Sequence, residues 1–263
     1  MHICGPAARY AYSPDRIYTP PDALLADYLH VAGTLGLERV VFVQPSVYGT
    51  DNTVMLEAMD KCPLANRGVA VLGHDVADAE LQALSGAGVR GVRLNLVDVV
   101  EPGADLPLES IERLAERIAP FDWHLELLLH VDDFPDLDED LGDLPVDLVV
   151  GHLGYFRPEK TPEDSGFQAL VRLMKAGRCW AKLTGPYRVS SEPYPYSSAQ
   201  PFAELLIEEA AERLLWGSDW PHVMMRTPMP NDGELLDLFS AWASEPEIGH
   251  KILVENPTRL YGF

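Results

Sequence analysis

The chain has 263 residues, of which 47% are hydrophobic, and its formal net charge is -21 at pH 7. This length allows one barrel-sized domain or two smaller ones, and we predict a single domain over residues 1–263. The acidic charge excludes nucleic acid and anionic membranes as partners, because both require a basic patch on the protein. The sequence also lacks the roughly 18 uninterrupted apolar residues of a membrane span.

Cysteine usage indicates a cytoplasmic protein. Cys4, Cys62 and Cys179 are odd in number and have no CxxC spacing, which is typical of reduced thiols. We therefore expect a cytoplasmic protein whose partner is a small-molecule substrate, and a homo-oligomer is left open. A cluster of acidic residues is predicted to form a solvated surface loop. It is not predicted to be a calcium site, because its spacing lacks the Gly and the final Glu of a calcium loop. The cluster comprises Asp132, Asp133, Asp136, Asp138, Glu139, Asp140 and Asp143.

Short apolar runs alternate with segments of helical periodicity along the chain. Seven such runs, at residues 39–43, 69–72, 91–96, 124–129, 147–150, 179–183 and 213–216, predict strands. Helical patterns lie between them, for example at residues 21–35, 109–118, 166–174 and 201–211. Near-continuous apolar strands that alternate with helices predict a parallel sheet covered on both faces.

Seven such units and an eighth strand would close a (β/α)8 barrel. His2 stands where a first strand should end, with only Met1 before it. We therefore predict an α/β fold, a (β/α)8 TIM barrel whose first strand is truncated at the N-terminus. An open doubly wound sheet is the alternative, but no GxGxxG loop precedes a helix.

In a barrel the chemistry collects at the carboxyl ends of the strands. The polar residues expected there are His2, Gln44, Ser46, His74, Arg93, Asn95, His130, His152, Lys182, Thr184 and Asp219. Asp219 lies in the segment Trp-Gly-Ser-Asp-Trp-Pro-His at residues 216–222. A carboxylate among apolar groups at a strand end suits a base that exchanges protons near neutral pH. A helix N-cap aspartate is the alternative interpretation.

His152 is the histidine with the most suggestive surroundings. Glycines at 151 and 154 flank the segment that contains it and allow close backbone approach. His74, His124 and His130 lack comparable flanking residues and are predicted to be packing or surface residues.

Arginine side chains are the candidates for holding an anion. Arg93 alternates with apolar neighbours on its strand, so its guanidinium should point into the barrel. It either pairs with an acidic residue on a neighbouring strand or holds a substrate carboxylate. Arg188 follows another strand end and is a second candidate, although a solvated loop arginine is the default. Tyr18 and Tyr48 are loop aromatics that could bind the ligand, and Tyr48 could equally precede a helix cap at Asp51 or Asn52.

A metal site would use His2, His152 and Asp219 as ligands, in the manner of a zinc site. The usual barrel metal site begins with a His-x-His pair, and only one of the two histidines is present at the amino terminus. We therefore predict a metal-free site and no cofactor, with one divalent zinc ion as the alternative.

Motifs along the whole chain resemble the lactonases of the amidohydrolase superfamily, the 2-pyrone-4,6-dicarboxylate lactonase group in particular. They lie at residues 1–6, 43–52, 90–93, 151–154, 182–188, 216–222 and 256–263. The resemblance implies a distorted TIM barrel, hydrolysis of a lactone that commonly bears carboxylates, and activity that in many members needs no metal. It implies that Asp219 is the general base, with His2 and His152 beside it. Tyr18, Ser46, Arg93 and Arg188 match substrate-binding positions, and Tyr48 and His222 are added as further substrate contacts.

The chain departs from that pattern at three places. The first histidine of the pair is absent, a second arginine after Arg93 is replaced in the run at 96–99, and Leu127 and Leu128 stand where a tyrosine is expected. We therefore expect a less carboxylated or differently shaped lactone, either a carboxylated lactone or a sugar-acid lactone, and not the pyrone itself. In the expected mechanism Asp219 activates water while His2 and His152 donate hydrogen bonds to the oxyanion. The alternatives are a zinc-dependent decarboxylase of the same superfamily and a non-catalytic ligand-binding barrel.

Overall fold

Seven parallel strands form one curled sheet in the computed structural model, which describes residues 1–73, 75–97, 104–225 and 228–263. The strands are β1 Arg39–Val43, β2 Ala65–Ala70, β3 Val89–Asn95, β4 His124–Leu128, β5 Leu148–Val150, β6 Cys179–Leu183 and β7 Leu214–Trp216, and they pair in that order. Each predicted apolar run lies on one of these strands. The predicted distorted TIM barrel is confirmed.

Helices connect successive strands and cover the sheet. They are α1 Leu25–Leu35, α2 Thr53–Lys61, α3 Asp78–Gly86, α4 Leu108–Ile118, α5 Leu137–Leu141, α6 Ser165–Lys175, α7 Pro186–Val189, α8 Gln200–Ala210, α9 Asp232–Trp242, α10 Pro246–His250 and α11 Asn256–Tyr261. In α4, Ile111, Leu114, Ala115 and Ile118 are buried, which is the spacing of one helix face. The helices expected at 109–118 and 166–174 lie within a residue of the observed bounds.

The hydrophobic core has two layers. The larger layer packs the helices against the outer face of the sheet. A smaller cluster fills the inside of the curled sheet, and it consists of Val43, Val69, Val149, Trp180, Leu215 and Tyr261. Because side chains alternate along a strand, the residues two positions further along these strands also point to the inside of the curled sheet. They lie next to this apolar cluster, towards the carboxyl ends of the strands.

The first residues of the chain lie between the two edge strands. The backbone of Met1 bonds to β1, with its oxygen accepting from the amide of Val43 at 2.9 Å. The amide of His2 donates to the carbonyl of Trp220 in the loop after β7, at 2.8 Å. These bonds hold His2 beside residue 219. The expectation of a truncated first strand stays a prediction.

The prediction of a solvated acidic loop is wrong for Asp132. Its side chain has no exposed surface, because it forms an ion pair with Arg157, whose guanidinium also bonds both oxygens of Asp133 at 2.8 Å. Asp138 similarly pairs with Arg172. The cluster is thus partly structural, with arginines of the sequence-distant segment after β5 supplying the countercharge.

Within the described parts of the chain, every helix is too short or too polar to cross a bilayer. The free thiols of Cys4 and Cys179 are buried and that of Cys62 is half-buried.

Candidate active site

A cavity of about 370 Å³ lies inside the curled sheet and extends along the gap between β1 and β7. Its polar lining comes from the amino-terminal segment, from strands β3, β4 and β6 and from the loops that follow β5, β6 and β7. The polar side chains that matter below are His2, Arg93, Glu126, His152, Lys182, Thr184 and Asp219. The fold therefore brings together seven groups that are far apart in the sequence.

Asp219 is the central carboxylate of this cavity. Its backbone lies in the left-handed region with φ of 58°, a conformation that aspartate tolerates better than most residues. Its Oδ2 accepts hydrogen bonds from the Tyr187 hydroxyl at 2.6 Å and from Arg188 Nε at 2.9 Å. Its Oδ1 lies 3.8 Å from His2 Nε2 and 4.0 Å from His152 Nε2. One oxygen is therefore fully bonded, and the other faces two imidazoles at more than hydrogen-bond distance.

Electrostatics keep Asp219 ionised. Burial alone would raise the pKa of the carboxyl, but the Arg188 guanidinium, followed by His152, His2 and the Tyr187 hydroxyl, outweighs it and holds the pKa well below its usual range. The expectation of a carboxylate in apolar surroundings with a pKa near neutrality is therefore wrong for the free protein. The reason is Arg188, which pairs with Asp219 directly.

His2 presents a bare nitrogen to the cavity. Its Nδ1 lies 2.7 Å from the carbonyl oxygen of Val43, and because a carbonyl only accepts, Nδ1 carries the proton. Burial and the nearby positive charges lower the pKa of His2 to about 3, so the ring is neutral and Nε2 has no proton. The expected donation from His2 to an oxyanion is therefore wrong, since Nε2 can only accept.

His152 is held by the next strand end. Its Nδ1 lies 3.0 Å from the Thr184 hydroxyl, and burial lowers its pKa to about 4. The backbone of His152 has φ of 49°, and a Cβ on Gly185 would come within 2.7 Å of its Nδ1. A glycine at 185 thus allows the backbone after β6 to approach the imidazole closely. Because the hydroxyl can donate or accept, Nε2 of His152 is free to carry a proton.

Arg93 is a buried cation without an ion-pair partner among the described residues. Arg93 lies directly opposite Glu126 on the neighbouring strand β4. Glu126, however, forms its ion pair with Lys182. The Nε of Arg93 is buried and has no hydrogen-bond partner within the described parts of the chain. An unpaired buried guanidinium is costly, and this one borders the cavity. The alternative of an acidic partner on a neighbouring strand is met only in part, because Arg93 helps to lower the pKa of Glu126 although Glu126 forms its ion pair with Lys182.

Arg188 occupies a different position from the one expected of a substrate clamp. Its Nε is bonded to Asp219, and its Nη2 donates to the carbonyl of Val223 at 3.2 Å. Burial acts to lower the pKa of Arg188, and Asp219 reverses that effect and raises it. In this structure Arg188 holds the carboxylate and fixes the loop after β7.

Tyr18 and Ser46 lie close to the arginines. Burial raises the pKa of Tyr18 to about 12, against the opposing effects of the Ser46 hydroxyl, Arg93 and Arg188. These effects require all three groups to be near the phenol. The predicted pair of Tyr18 and Ser46 is thus brought to the arginine side of the site.

Tyr48 and His222 lie outside the cavity lining. The Tyr48 hydroxyl accepts from the amide of Gly5 at 2.7 Å, and its ring packs on Tyr12. His222 lies behind Asp219, with Nδ1 at 2.8 Å from the Tyr187 hydroxyl. In this structure neither is in position to touch a ligand in the cavity, because other protein groups already occupy their polar atoms.

Two features of the site were missed by sequence reasoning. The buried pair of Glu126 and Lys182 spans the cavity, and Lys182 and then Arg93 lower the pKa of Glu126 to about 2 although burial opposes them. Glu126 is the one charged residue in an apolar run, which is a usable signal for an inward-facing group. Tyr187, which bonds Asp219, gives no such signal because it lies beside the more conspicuous Arg188.

The remaining histidines take different places. His130 lies at the end of β4, where Nδ1 is 2.5 Å from the carbonyl of Tyr155. His124 is buried against Tyr261, and both residues thus have a packing role, one of the two roles predicted for them. His74, and with it part of the run at 96–99, lies outside the described residues.

The donor set at the site does not fit a divalent metal. Within residues 1–73, 75–97, 104–225 and 228–263, no three side chains of His, Cys, Asp or Glu converge on a metal-sized position. Asp219 Oδ2 is occupied by Arg188 and Tyr187. Arg188 bonds the carboxylate, and Arg93 and Lys182 line the same cavity, so the positive charge there opposes a divalent cation.

A sequence model for a family described as "Amidohydrolase" matches residues 1–263. Among curated proteins, the 2-pyrone-4,6-dicarboxylate hydrolase of Comamonas testosteroni is 36% identical over 271 residues, covering 99% of this chain and 88% of that protein. The 4-sulfomuconolactone hydrolase of Rhizobium radiobacter is 37% identical over 264 residues, covering 100% of this chain and 88% of that protein.

The fold is also similar to solved structures. One is described as a probable 2-pyrone-4,6-dicarboxylic acid hydrolase from Acinetobacter baumannii with citric acid bound. It is 28% identical, has a TM-score of 0.87, and covers 100% of this chain and 97% of that one.

Proposed function

The chain belongs to the amidohydrolase family, and we propose that it is a hydrolase that opens the ring of a carboxylate-bearing lactone with water activated by Asp219. One observation carries the proposal. A buried, ionised carboxylate has one oxygen fixed by Arg188 and Tyr187 and the other turned to a cavity that is also lined by Arg93, whose Nε has no hydrogen-bond partner among the described residues. These are a base and an anion-binding group in one cavity.

The reaction begins with water at Asp219 Oδ1. A water between Oδ1 and His2 Nε2, which are 3.8 Å apart, donates one hydrogen bond to each and is thereby oriented. Asp219 takes a proton from this water, and the hydroxide attacks the lactone carbonyl. Collapse of the tetrahedral intermediate breaks the bond to the ring oxygen, which receives the proton back from Asp219. The products are one hydroxyl and one carboxylic acid, which ionises.

His152 stabilises the oxyanion. If Thr184 donates to Nδ1, then Nε2 carries the proton and donates to the developing negative charge. His2 differs, because its Nε2 accepts a hydrogen bond and orients the water. The two imidazoles thus divide the roles of acceptor and donor, each fixed through its Nδ1 partner.

A substrate carboxylate completes the site by binding Arg93. A guanidinium binds a carboxylate with charge-assisted hydrogen bonds, and here it would satisfy a nitrogen, Nε of Arg93, that has no partner among the residues that the structure describes. The arriving negative charge also raises the pKa of Asp219 from its depressed value towards the working pH. The base is thereby strengthened only when an anionic substrate is bound.

The relatives support this substrate class. Two are named for hydrolysis of a pyrone dicarboxylate and of a sulfomuconolactone, and a related structure holds citric acid. The cavity of this chain has Glu126 beside Lys182, so fewer of its cations are free for anions. A lactone with a single carboxylate and several hydroxyls, such as a sugar-acid lactone, is the class we propose.

We also propose catalysis without a metal, because Arg188 and Tyr187 already occupy one oxygen of Asp219. Activity that persists after dialysis against a chelator supports this. Stoichiometric zinc that is lost together with activity would instead favour the decarboxylase alternative. The predicted cytoplasmic location and a homo-oligomeric state are further proposals, and size-exclusion chromatography with light scattering tests the second.

The decisive experiment is a panel of lactones followed with a pH indicator. Sugar-acid lactones, a muconolactone and a pyrone dicarboxylate are compared with an uncharged lactone of similar ring size. We expect turnover of a carboxylated lactone with one proton released per ring opened. Absence of ring opening across the panel, with thermal stabilisation of the protein by carboxylic acids, would indicate a binding protein instead.

A further inference from the structure

An ion pair crosses the inside of the curled sheet between β4 and β6. Glu126 lies on β4 and Lys182 on β6, and the strand between them, β5, carries no charged residue. Lys182 Nζ donates to Glu126 Oε2. Both residues line the cavity, and the side chains of Lys182 and Glu126 are 14% and 7% exposed. A ligand in the cavity can therefore reach this pair.

Each member of the pair has hydrogen-bonding capacity beyond the bond that joins them. A lysine ammonium has three N–H donors, and a carboxylate has two acceptor oxygens. Among the described residues, Lys182 Nζ donates only to Glu126, and the Glu126 carboxylate accepts only from Lys182, through Oε2. Oε1 of Glu126 and the remaining N–H groups of Lys182 can thus bind a ligand while the ion pair stays intact.

The charges of the pair restrict which ligand group can bind there. Burial opposes ionisation of Glu126, yet Lys182 and Arg93 lower its pKa to about 2, so both partners are charged and their charges cancel. A ligand carboxylate would meet the negative charge of Glu126 at short range, and an apolar group would offer neither partner a hydrogen bond. A neutral hydroxyl both donates and accepts, so it suits the carboxylate and the ammonium equally.

The pair lies between the groups that bind the two ends of the substrate in the proposed reaction. Arg93 lies directly opposite Glu126, on β3. Thr184 is two residues beyond Lys182 and lines the same cavity, and its hydroxyl contacts His152. A lactone whose carboxylate binds Arg93 and whose carbonyl lies at His152 therefore presents the carbons between these two groups to Glu126 and Lys182.

We propose that Glu126 and Lys182 form a hydroxyl-binding subsite, which takes two neighbouring hydroxyls of a polyhydroxylated monocarboxylate and determines the specificity of the cavity. One hydroxyl donates to Oε1 of Glu126, and its neighbour accepts from Lys182 Nζ. A ligand without hydroxyls gives the pair no new hydrogen bonds and is selected against. The effect on turnover rests on the proposed function, whereas the effect on binding can be measured without any turnover.

Isothermal titration calorimetry on the whole protein tests the subsite. The probes are gluconate, which carries one carboxylate and a hydroxyl on each remaining carbon, and hexanoate, which has the same chain length and no hydroxyl. The variant Glu126→Leu/Lys182→Met replaces the pair by apolar residues of similar volume, a change that buried ion pairs tolerate. We expect its affinity for gluconate to fall by about 10- to 100-fold and its affinity for hexanoate to change by less than about threefold.

The outcomes that would overturn the subsite are specific. Equal losses of affinity for gluconate and hexanoate would show that the pair only maintains the shape of the cavity. Gluconate that binds the parent no more tightly than the double variant would exclude hydroxyl recognition by the pair. Glu209→Gln is the control for loss of one negative charge from an ion pair outside the cavity, because Glu209 pairs with Lys175 at the surface. It should change neither affinity.

The single variant Glu126→Gln should reverse the preference of the subsite. It leaves Lys182 as a buried cation without its countercharge, so a second carboxylate becomes favourable there. We expect kcat/KM to fall by about tenfold for a sugar-acid lactone and to rise by about tenfold for a pyrone dicarboxylate. A uniform loss on both lactones would contradict the proposal.

The same reversal can be measured as affinity, with gluconate and the dicarboxylate adipate as the probes. Glu126→Gln should bind gluconate more weakly and adipate more tightly than the parent does, and Glu209→Gln should bind both as the parent does. Should the parent turn over no lactone, these affinities still decide the subsite, and only the proposed function fails. Turnover of lactones by a protein whose affinities do not reverse would instead leave the proposed function standing and remove the subsite.

Discussion

Two arginine–aspartate clusters in this molecule look alike in sequence but differ in what they leave unsatisfied. In the first, Arg157 bonds both oxygens of Asp133 and pairs with Asp132, whose other oxygen accepts from the Arg157 amide. In the second, Arg188 and Tyr187 bond only one oxygen of Asp219. Every carboxylate oxygen of the first cluster is bonded, whereas Asp219 keeps one oxygen for the cavity.

Backbone conformation shows the same contrast. Eight non-glycine residues in the described parts of the chain have positive φ, and six of them lie at 152–155 and 219–224, around the site. Such conformations cost energy. They concentrate around the cavity in which Oδ1 of Asp219 and Nε of Arg93 have no hydrogen-bond partner among the described residues. A cluster in which every carboxylate oxygen is bonded thus indicates a structural role. A carboxylate oxygen or guanidinium nitrogen without a partner, close to residues with positive φ, indicates a binding or catalytic role.

The largest effect that tests this contrast comes from the two aspartates. Asp219→Asn removes the proposed base, and we expect kcat to fall by about 10³-fold or more with an unchanged circular dichroism spectrum. Asp132→Asn should instead leave kcat within about twofold and lower the free energy of unfolding by about 1–3 kcal/mol, the value of a hydrogen bond to a charged group. Lactone hydrolysis and urea unfolding measure the two effects.

An active Asp219→Asn enzyme would remove the mechanism. Asp237→Asn, on the exposed face of α9, is the matched control for loss of one negative charge. It should resemble the unmodified protein in both assays.

The next largest effect is expected for substitution of Arg93. Arg93→Met should raise KM for a carboxylated lactone by about 10- to 100-fold, the equivalent of one charge-assisted contact, and should affect an uncharged lactone much less. The same variant should be at least as stable as the parent, because it removes a buried charge that has no ion partner among the described residues. Arg157→Met should show the reverse, with lower stability and unchanged KM.

Arg90→Met serves as the control on the same strand, because Arg90 bonds backbone carbonyls at Ser85 and Val89 and not the cavity. Equal loss of activity on charged and uncharged lactones in Arg93→Met would contradict the carboxylate-binding role.

Sequence alone predicts the fold better than the site. The strands follow from apolar runs, and Asp219 and His152 follow from strand ends with small flanking residues. The partners of Asp219 could not be predicted in the same way, because the bond between Tyr187 and Asp219 depends on how α7 sits on the loop after β7. For Glu126, the sequence predicts the position but not the partner. Its lone charge in an apolar strand indicates that the side chain points inwards. That it pairs with Lys182 and not with Arg93 depends on the geometry across the barrel.

A smaller effect is expected at Thr184. Thr184→Val keeps the volume but removes the hydroxyl that contacts His152 Nδ1, so the imidazole loses its orientation. We expect kcat to fall by about tenfold, in line with one hydrogen bond of about 1–1.5 kcal/mol, with KM little changed. Thr34→Val, at an exposed helix position, should leave kcat unchanged. A parent-like kcat in Thr184→Val would show that the Thr184 hydroxyl does not position His152.

The smallest effect is a change in the pH dependence of stability. Burial lowers the pKa of His124 and of His152 to about 4 and that of His2 to about 3. Since the unfolded chain then binds more protons below about pH 6.5, acidification should destabilise the fold by about 1.4 kcal/mol per pH unit for each histidine. The carboxylates Asp219 and Glu126 have lowered pKa values, so their stabilising contribution is present at neutral pH and is lost only at lower pH. His124→Phe should therefore reduce the slope of unfolding free energy between pH 6 and pH 5 by about one third, and chemical denaturation at the two pH values measures it. An unchanged slope would mean that His124 takes up its proton in the folded state.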